Sequence, residues 1–430
     1  MLRTLCLLML TSFAVPAFAQ SEMLRADASR IEARIKALSV FGSNDDGGVD
    51  RVAYSPADLA GRAWAMAEMK TLGLEDIRID TGGNILGRRP GTDEYAKPIM
   101  FGSHIDSVLG GGNYDGPAGV IAAFEVIDLL NEGGVVTRSP LDVVIFSNEE
   151  GGLIGSLAIA GRLGRKTLNV VSDSGLTIGE GIKIIGGDPE RLDEAVIAND
   201  ALKAFFELHI EQGAFIDRDG IDIGVVEGIV GIEWWDITIS GISNHAGTTP
   251  MNQRADALVG ASKLVLAINE IARGTPGRQV ATVGRITALP GAPNVIPGEV
   301  KMTLEVRDLS VAKIESVYQD VRAAAATITE ETGVTIDFVN LNVASHPALT
   351  DPALRDIIAQ AATSLGLTHR VMPSGAGHDA QDMASIAPTG MIFVPSVGGI
   401  SHSPKEFTHA QDIANGSDVL LRAILAVDGQ

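Results

Sequence analysis

Cysteine is almost missing from this chain. Only Cys6 is present, and it falls in an N-terminal leader, so the processed chain would carry no thiol. That excludes disulfides and thiolate ligands, and any metal must then be held by His, Asp and Glu. Basic residues are also short: 33 Lys and Arg stand against 54 Asp and Glu, a formal net charge of −21. Such a balance repels phosphate backbones and anionic membrane surfaces, which argues against a nucleic-acid partner. It is compatible with a carboxylate-rich cation site, although most of the charge belongs to solvated surface. Beyond the leader no stretch is long and apolar enough for a membrane helix. No short-period repeat or low-complexity segment stands out. What is present is ordinary core material, 45% hydrophobic and 20% charged, over 430 residues. That length suggests two domains, or one large domain carrying an insertion.

The leader reads MLRTLCLLMLTSFAVPAFAQ. Arg3 supplies a short positive region, Leu5 to Val15 an apolar core, and Ala17-Phe18-Ala19 a small-residue cleavage site. Residues 1–19 are expected to be a signal peptide removed after Ala19, leaving Gln20 as the new N-terminus and an exported protein, periplasmic or secreted. The apolar run is too short to be a comfortable membrane anchor, so no membrane association is expected after cleavage.

Helical spacing appears at 22–40 and 56–72. PIMFGSHI (98–105) reads as a strand, 117–131 as an apolar helix, LDVVIFS (141–147) as a buried strand, and 150–163 as a further helix. This rhythm predicts an α/β fold, a mostly parallel sheet with flanking helices. Ligands in such sheets gather at the carboxyl ends of strands. The pattern changes after VVEGIVG (225–231): strand 231–241, helix 253–273, strands 279–289 and 298–308, helix 311–331, strand 334–340. That βαββαβ order is an α+β unit. The expected division is a catalytic part at 20–229 and 346–430, and an inserted domain at 230–345.

Chemistry concentrates in five places. In HIDSVLGGGNYDG, residues 104–116, His104 and Asp106 lie at i and i+2, where a strand points side chains to one face. Asp106 is therefore expected to accept a hydrogen bond from the His104 nitrogen that does not bind metal. Asp115 follows in a Gly-rich turn that allows close backbone approach. The acids crowd where a phosphate would be repelled, and the Lys-Ser/Thr ending of a phosphate loop is missing. Glu149 and Glu150 are adjacent after a buried strand, an arrangement that repels itself unless a cation is near. His209 in ELHIEQG and His402 in GGISHSPKEF complete the set. Together they supply two His–carboxylate groups and one spare Glu.

These segments, with SNHAGTTPMNQRADAL, GAPNVIPG and SGAGHDAQDMA, resemble the metal-dependent amidohydrolases of the M20 peptidase superfamily. The branch they resemble is that of N-carbamoyl-L-amino-acid hydrolases, β-ureidopropionases and allantoate amidohydrolases. They run in family order over nearly the whole chain. The resemblance implies two divalent ions per subunit, zinc first, with manganese, cobalt or nickel as alternatives. His104, Asp115 and His209 would hold one ion, and Asp115, Glu150 and His402 the other, with Asp115 bridging. Glu149 would be the general base and Asp106 would orient His104. His245 and Asn294, in the subunit's own site or its neighbour's, would reach a substrate oxygen. Arg307 would pair with the substrate carboxylate, Gln212 would line the pocket, and His378 would approach the substrate. The insert would be a lid and homodimerisation domain. The implied reaction is hydrolysis of a linear amide or ureido bond in a carboxylate-bearing small molecule, foremost an N-carbamoyl-L-amino acid. An allantoate amidohydrolase is the nearest alternative. An aminopeptidase or N-acyl-amino-acid hydrolase is disfavoured by His209, where peptidase relatives usually carry an acid. A non-catalytic periplasmic binding protein is disfavoured by Glu149.

The leader makes one expectation directly checkable. N-terminal sequencing of the exported protein should begin at Gln20, and an exported chain that retains Met1 would contradict cleavage.

Overall fold

The computed structural model describes residues 24–341 and 345–430. The leader expected at 1–19, with Cys6, lies outside the described residues. In chain order the elements run α1 (Ala28–Ser39), α2 (Pro56–Thr71), β1 (Glu75–Ile79), β2 (Ile85–Arg89), β3 (Ile99–His104), α3 (Pro117–Glu132), β4 (Leu141–Phe146), β5 (Ala204–Ile210) and β6 (Ile223–Ile229). Next come β7 (Gly231–Ser240), β8 (Asn244–His245), α4 (Ala257–Gly274), β9 (Val280–Thr282), β10 (Ile286–Leu289), β11 (Val295–Ile296), β12 (Glu299–Asp308), α5 (Val311–Thr332) and β13 (Thr335–Asn340). Then follow β14 (Ala348–Leu349), α6 (Pro352–Ser364), β15 (His369–Ser374), β16 (Thr389–Val394) and α7 (Ala410–Asp428), with shorter helices between some of them.

The chain groups into two units: residues to Val225 with Asp356–Arg370 and Ile386–Gln430, and Val226–Arg355 with Val371–Ser385. The sequence placed all of 346–430 in the catalytic part. Pairing moves two pieces of it into the second unit. Ala348 and Leu349 pair antiparallel with Ile229 and Gly228, and the Val230 N–H donates to the Ser374 carbonyl at 3.0 Å.

The first unit is built on a sheet ordered β1-β2-β4-β3-β5-β16-β6. Its centre, β4-β3-β5-β16, is parallel, and β1, β2 and β6 add antiparallel edges. Every residue of the four central strands is buried. Parallel strands covered on both faces read as continuous apolar runs for this reason. Helix α3 is buried almost all round. The carboxyl ends of β3 and β5 deliver His104 and His209, and the chain leaving β4 reaches Glu149 and Glu150.

A buried cation fixes the segment beyond β3. Arg51 is wholly buried. Its Nε donates to the Ile105 carbonyl at 2.5 Å, and its Nη1 to the Leu38 and Phe41 carbonyls at 3.1 and 2.9 Å. Burial lowers its pKa to about 10, so it stays charged at neutral pH. It ties the end of α1 to the backbone next to His104.

In the second unit the sheet order is β10-β12-β7-β13, with β9 also on β12. Val300, Met302, Leu304 and Val306 of β12 are buried. They form one core with Trp235, Ile237 and Ile239 of β7 and with Leu264, Ile268, Val317 and Val321 of the two helices. The expected single strand at 279–289 is split. Between the pairs Thr282–Glu305 and Ile286–Met302 one strand advances four residues and the other three, the extra residue of a β-bulge. Helix starts were also read early. Asp27 caps α1 by accepting the Ser29 and Arg30 N–H groups, and Asp256 caps α4 in the same way. Among the described residues no helix is long and apolar enough to cross a membrane.

Replacing Arg51 with Met would leave the Ile105 and Phe41 carbonyls without this donor, while that of Leu38 keeps the Phe41 N–H, and each orphaned acceptor is worth roughly 1–3 kcal/mol. Urea unfolding should show at least about 2 kcal/mol of lost stability. Arg51→Lys should recover only part, because an ammonium lacks the planar fork. A loss within about 0.5 kcal/mol, the range of ordinary surface changes, would contradict the anchoring role.

Candidate metal centre and catalytic site

Two histidines face each other across the strand ends. The His104 and His209 rings stack with centroids 5.7 Å apart. Nδ1 of His104 lies 3.1 Å from the Asp106 carbonyl and Nδ1 of His209 lies 3.0 Å from the Ile210 carbonyl. A carbonyl only accepts, so each Nδ1 carries a proton and each Nε2 is the nitrogen turned to the other groups of the site. The His104 Nε2 is buried without a hydrogen-bond partner. Behind the ring, a Cβ on Gly116 (φ +81°) would stand 2.4 Å from His104 Cε1, so this turn admits no side chain.

Asp115 is the junction. Its Oδ1 lies 3.2 Å from His209 Nε2 and its Oδ2 lies 3.2 Å from His402 Nε2. Glu150 Oε2 lies 3.4 Å from the same His402 nitrogen. Ligand atoms of His104, Asp115 and His209 all fall within 4.8 Å of one another, and so do those of Asp115, Glu150 and His402. Gln212 donates to Asp115 Oδ2 at 2.7 Å, so the expected pocket residue touches the shared carboxylate itself. Glu149 is nearly buried, with its Oε2 3.8 Å from His104 Nε2.

The Asp106 expectation needs correction. Strand β3 ends at His104, so the i, i+2 alternation stops before Asp106. Its Oδ1 is 3.7 Å from His104 Nδ1, too long for a hydrogen bond, and the ring is oriented by the Asp106 backbone carbonyl instead. The carboxylate accepts the Glu149 and Glu150 N–H groups at 3.3 and 3.2 Å. It therefore sets where both glutamates stand.

Charge explains what the pocket lacks. Burial, then the neighbouring His209 charge, pushes His104 down to about 3, which keeps it neutral and able to ligate. Burial opposes ionisation of Asp115, but the His402 hydrogen bond, first among the effects of the surrounding histidines, outweighs it and holds the group well below the usual carboxylate range. Burial and the charge of Asp115 raise Glu150 to about 8. The hydrogen bond with Asp115 raises His402 to about 9 against the effect of burial. An inward lone pair on a buried, unpartnered imidazole beside carboxylates fits a divalent metal site. Strain gathers here too, because Asn148, Gln212 and His402 hold left-handed backbone at φ +50°, +56° and +52°, as residues at functional sites often do.

The remaining expected residues belong to the second unit. His245 on β8 pairs with Val295 on β11, and the Ala246 N–H donates to the Asn294 carbonyl at 3.0 Å, so His245 and Asn294 are neighbours. Nδ1 of His245 accepts the Gly247 and Thr248 N–H groups at 3.0 and 3.2 Å, which leaves Nε2 as the donor of the neutral ring. Arg254 braces that loop through the Thr249 and Ala246 carbonyls. Arg307 already has a partner: Nε and Nη2 donate to the Glu305 carboxylate at 2.8 and 3.2 Å, and Nη1 to the Gly375 carbonyl at 2.8 Å. His378 is buried, with Nε2 2.8 Å from Ser374 Oγ. Glu305 was legible as the residue two before Arg307 on the same strand face. Ser401 and Glu406, both against the Asp115 turn, were missed. Glu406 follows His402 by four residues, but a loop has no periodicity to show where its side chain returns.

The model of peptidase family M20/M25/M40 matches residues 100–426. The chain is 40% identical over 417 residues to an N-carbamoyl-L-amino-acid amidohydrolase of Paenarthrobacter aurescens, covering 94% of this chain and 99% of that one. It is 36% identical over 397 residues to the allantoate amidohydrolase of Escherichia coli, covering 91% and 95%. A crystal structure of an amidase of the hydantoinase/carbamoylase family from Burkholderia multivorans superposes with a TM-score of 0.87 at 36% identity, covering 95% of this chain and 99% of that one.

Because Glu150 and His402 are raised to about 8 and about 9, both hold protons at neutral pH that a cation must displace. Affinity for Mn2+ or Zn2+, measured by competition with a chromogenic chelator, should therefore rise from pH 6 to 8, with protons released on binding. An affinity flat across that range would contradict the protonated resting state.

Proposed function

The chain belongs to peptidase family M20/M25/M40, and from that premise we propose that it is a metal-dependent amidohydrolase whose substrate is an N-carbamoyl-L-amino acid. The observation that carries this reading is Glu149, a carboxylate held beside two ligand sets that overlap at Asp115. The residues would hold two divalent ions, one on His104, Asp115 and His209, the other on Asp115, Glu150 and His402. Zinc is the first choice, and manganese, cobalt or nickel suit the same donors. Bound there, the ions would lower the pKa of a water toward about 7 and polarise the scissile carbonyl.

The chain's own groups do the rest. Glu149 takes a proton from the attacking water and returns it to the leaving nitrogen. Asp106, through the N–H groups of 149 and 150, keeps the base and its neighbouring ligand at fixed positions. Water adds to the carbamoyl carbon and one C–N bond breaks. Cleavage on either side leaves a carbamate, which falls apart to give the amino acid, ammonia and carbon dioxide. His245 is a suitable donor to the developing oxyanion, because its Nδ1 is occupied and its Nε2–H points away from its own loop. Asn294 stands beside it. Arg307, its guanidinium held by the Glu305 carboxylate and the Gly375 carbonyl, is the cation suited to pair with the substrate carboxylate through its remaining Nη hydrogens.

Homodimerisation through the second unit is part of this reading. Exposed Leu258, Val259, Leu266, Ile286 and Leu289 supply apolar surface for a second copy to cover. Allantoate also presents a ureido group and a carboxylate, and the Escherichia coli relative keeps it as the second reading. An ammonia-release assay across N-carbamoyl-amino acids, allantoate and dipeptides, with defined metals, separates the two.

Glu149→Gln should keep its metal content and lose turnover by about 10²–10⁴-fold, the range of general acid–base catalysis. Near-normal turnover in that variant would remove Glu149 as the base.

A further inference from the structure

Glu406 is almost wholly buried, and each of its oxygens serves a different loop. Oε1 accepts the N–H groups of Tyr114 and Asp115 at 2.9 and 3.0 Å. Oε2 accepts the His402 N–H at 3.2 Å and the Ser401 hydroxyl at 2.9 Å. The same hydroxyl lies 2.8 Å from Asp115 Oδ2. It has one proton, so it donates to one carboxylate at a time and relays between Glu406 and Asp115.

The approach is built into the sequence. A Cβ on Gly112 would lie 2.2 Å from Glu406 Oε1 and 2.4 Å from Glu406 Cβ. Only a glycine lets the carboxylate reach the backbone of the turn. On the other side, His402 is half-exposed and held at φ +52°, and the Glu406 carboxylate is what bonds its N–H to the Asp115 turn.

We propose that Glu406 is a positioning residue, a buried clamp that joins the Asp115 turn to the His402 loop and so pre-forms the cation position shared by Asp115, Glu150 and His402. The proposal rests on the reading of Asp115 and His402 as metal ligands. Glu406 lies behind those ligands and acts through them. It fixes the Asp115 backbone and the His402 backbone at one separation. The His104–His209 position shares Asp115 but takes its two histidines from strand ends, which Glu406 does not touch.

The span, rather than the charge, is what matters, and this can be tested. Metal content of the folded full chain would be measured after equilibrium dialysis against buffered Mn2+ for wild type, Glu406→Gln, Glu406→Asp and Glu406→Ala. In Ala and Asp, one of the two Mn2+ should bind about 10–100-fold more weakly, the usual effect of losing a residue that supports a ligand. The other, which shares Asp115 but keeps His104 and His209 on their strand ends, should weaken several-fold less. Asp keeps the charge but is one methylene too short to reach both loops. Gln should sit between, because its carbonyl can still accept from Tyr114 and Asp115 and its amide can donate to the Ser401 oxygen. At saturating Mn2+, turnover should return to within about threefold of wild type. If Glu406→Ala does not fold, Glu406→Gln and Ser401→Ala carry the same comparison. Wild-type affinity in Glu406→Asp would overturn the clamp. So would equal weakening of both ions together with a lowered thermal midpoint, which marks a general fold staple. Absence of Mn2+ binding by the wild type would instead overturn the metal reading on which the clamp rests.

Discussion

The site depends on one electrostatic constraint: several carboxylates are buried side by side around Asp115. Asp115 and Asp106 are almost completely buried, and Glu149 is nearly so, with Glu150 beside them. Each would lose much of its hydration on burial, and like charges at this range raise one another's pKa. Three histidines approach these carboxylates: His209 and His402 face Asp115, His402 also faces Glu150, and His104 faces Glu149. A divalent cation resolves the same conflict with greater charge. Nearby cations do exist, but they are used otherwise: Arg51 spends its donors on three backbone carbonyls.

The fold meets this constraint mainly with backbone. Carbonyls of Asp106 and Ile210 orient the two imidazole rings. Asp106 grips two N–H groups of the glutamate pair, and Glu406 grips two more in the Asp115 turn. Strand ends alone would place side chains on one face, but they would not aim them. Left-handed residues at 148, 212 and 402 turn the chain sharply enough for three separate segments to converge. Such conformations persist only where surrounding bonds over-determine them, and the Ser396 hydroxyl accepting the Gln212 N–H is one such bond.

The strands β3 and β4 were legible in the sequence because each is a mostly apolar run, and the helix α3 because its apolar residues outnumber the few polar ones. The five candidate ligands and Glu149, which the structure brings close together, stood out because each lies past a strand end or in a Gly-rich turn. The edge strands β1 and β2 were not legible, since EDIRI and ILGRR are short and only partly buried. The bulge between β9 and β10 was hidden because a one-residue insertion leaves composition unchanged. Helix 150–163 shrank to Ile154–Ile159 because the chain first closes a turn at Glu149, whose carbonyl accepts the Gly152 and Leu153 N–H groups. The role of Asp106 was misjudged for a related reason: periodicity describes a strand only while the strand lasts. Glu406 was invisible because its partners lie 291 and 292 residues away.

What separates a catalyst from a metal store here is the division between Glu149 and Glu150. Adjacent residues usually diverge, and Asp106 holds both N–H groups, so neither side chain can replace the other by a backbone shift. Glu150 then faces His402 and Glu149 faces His104. A store would gain from bringing both carboxylates onto the cation, since each added oxygen ligand increases affinity. The clamp on their backbone prevents that convergence. It leaves one carboxylate beside the ligand sets but outside both of them. A carboxylate so placed is useful to a water that must lose a proton and to a nitrogen that must gain one. The geometry therefore favours turnover over retention, at the expense of a ligand the pocket could otherwise have used.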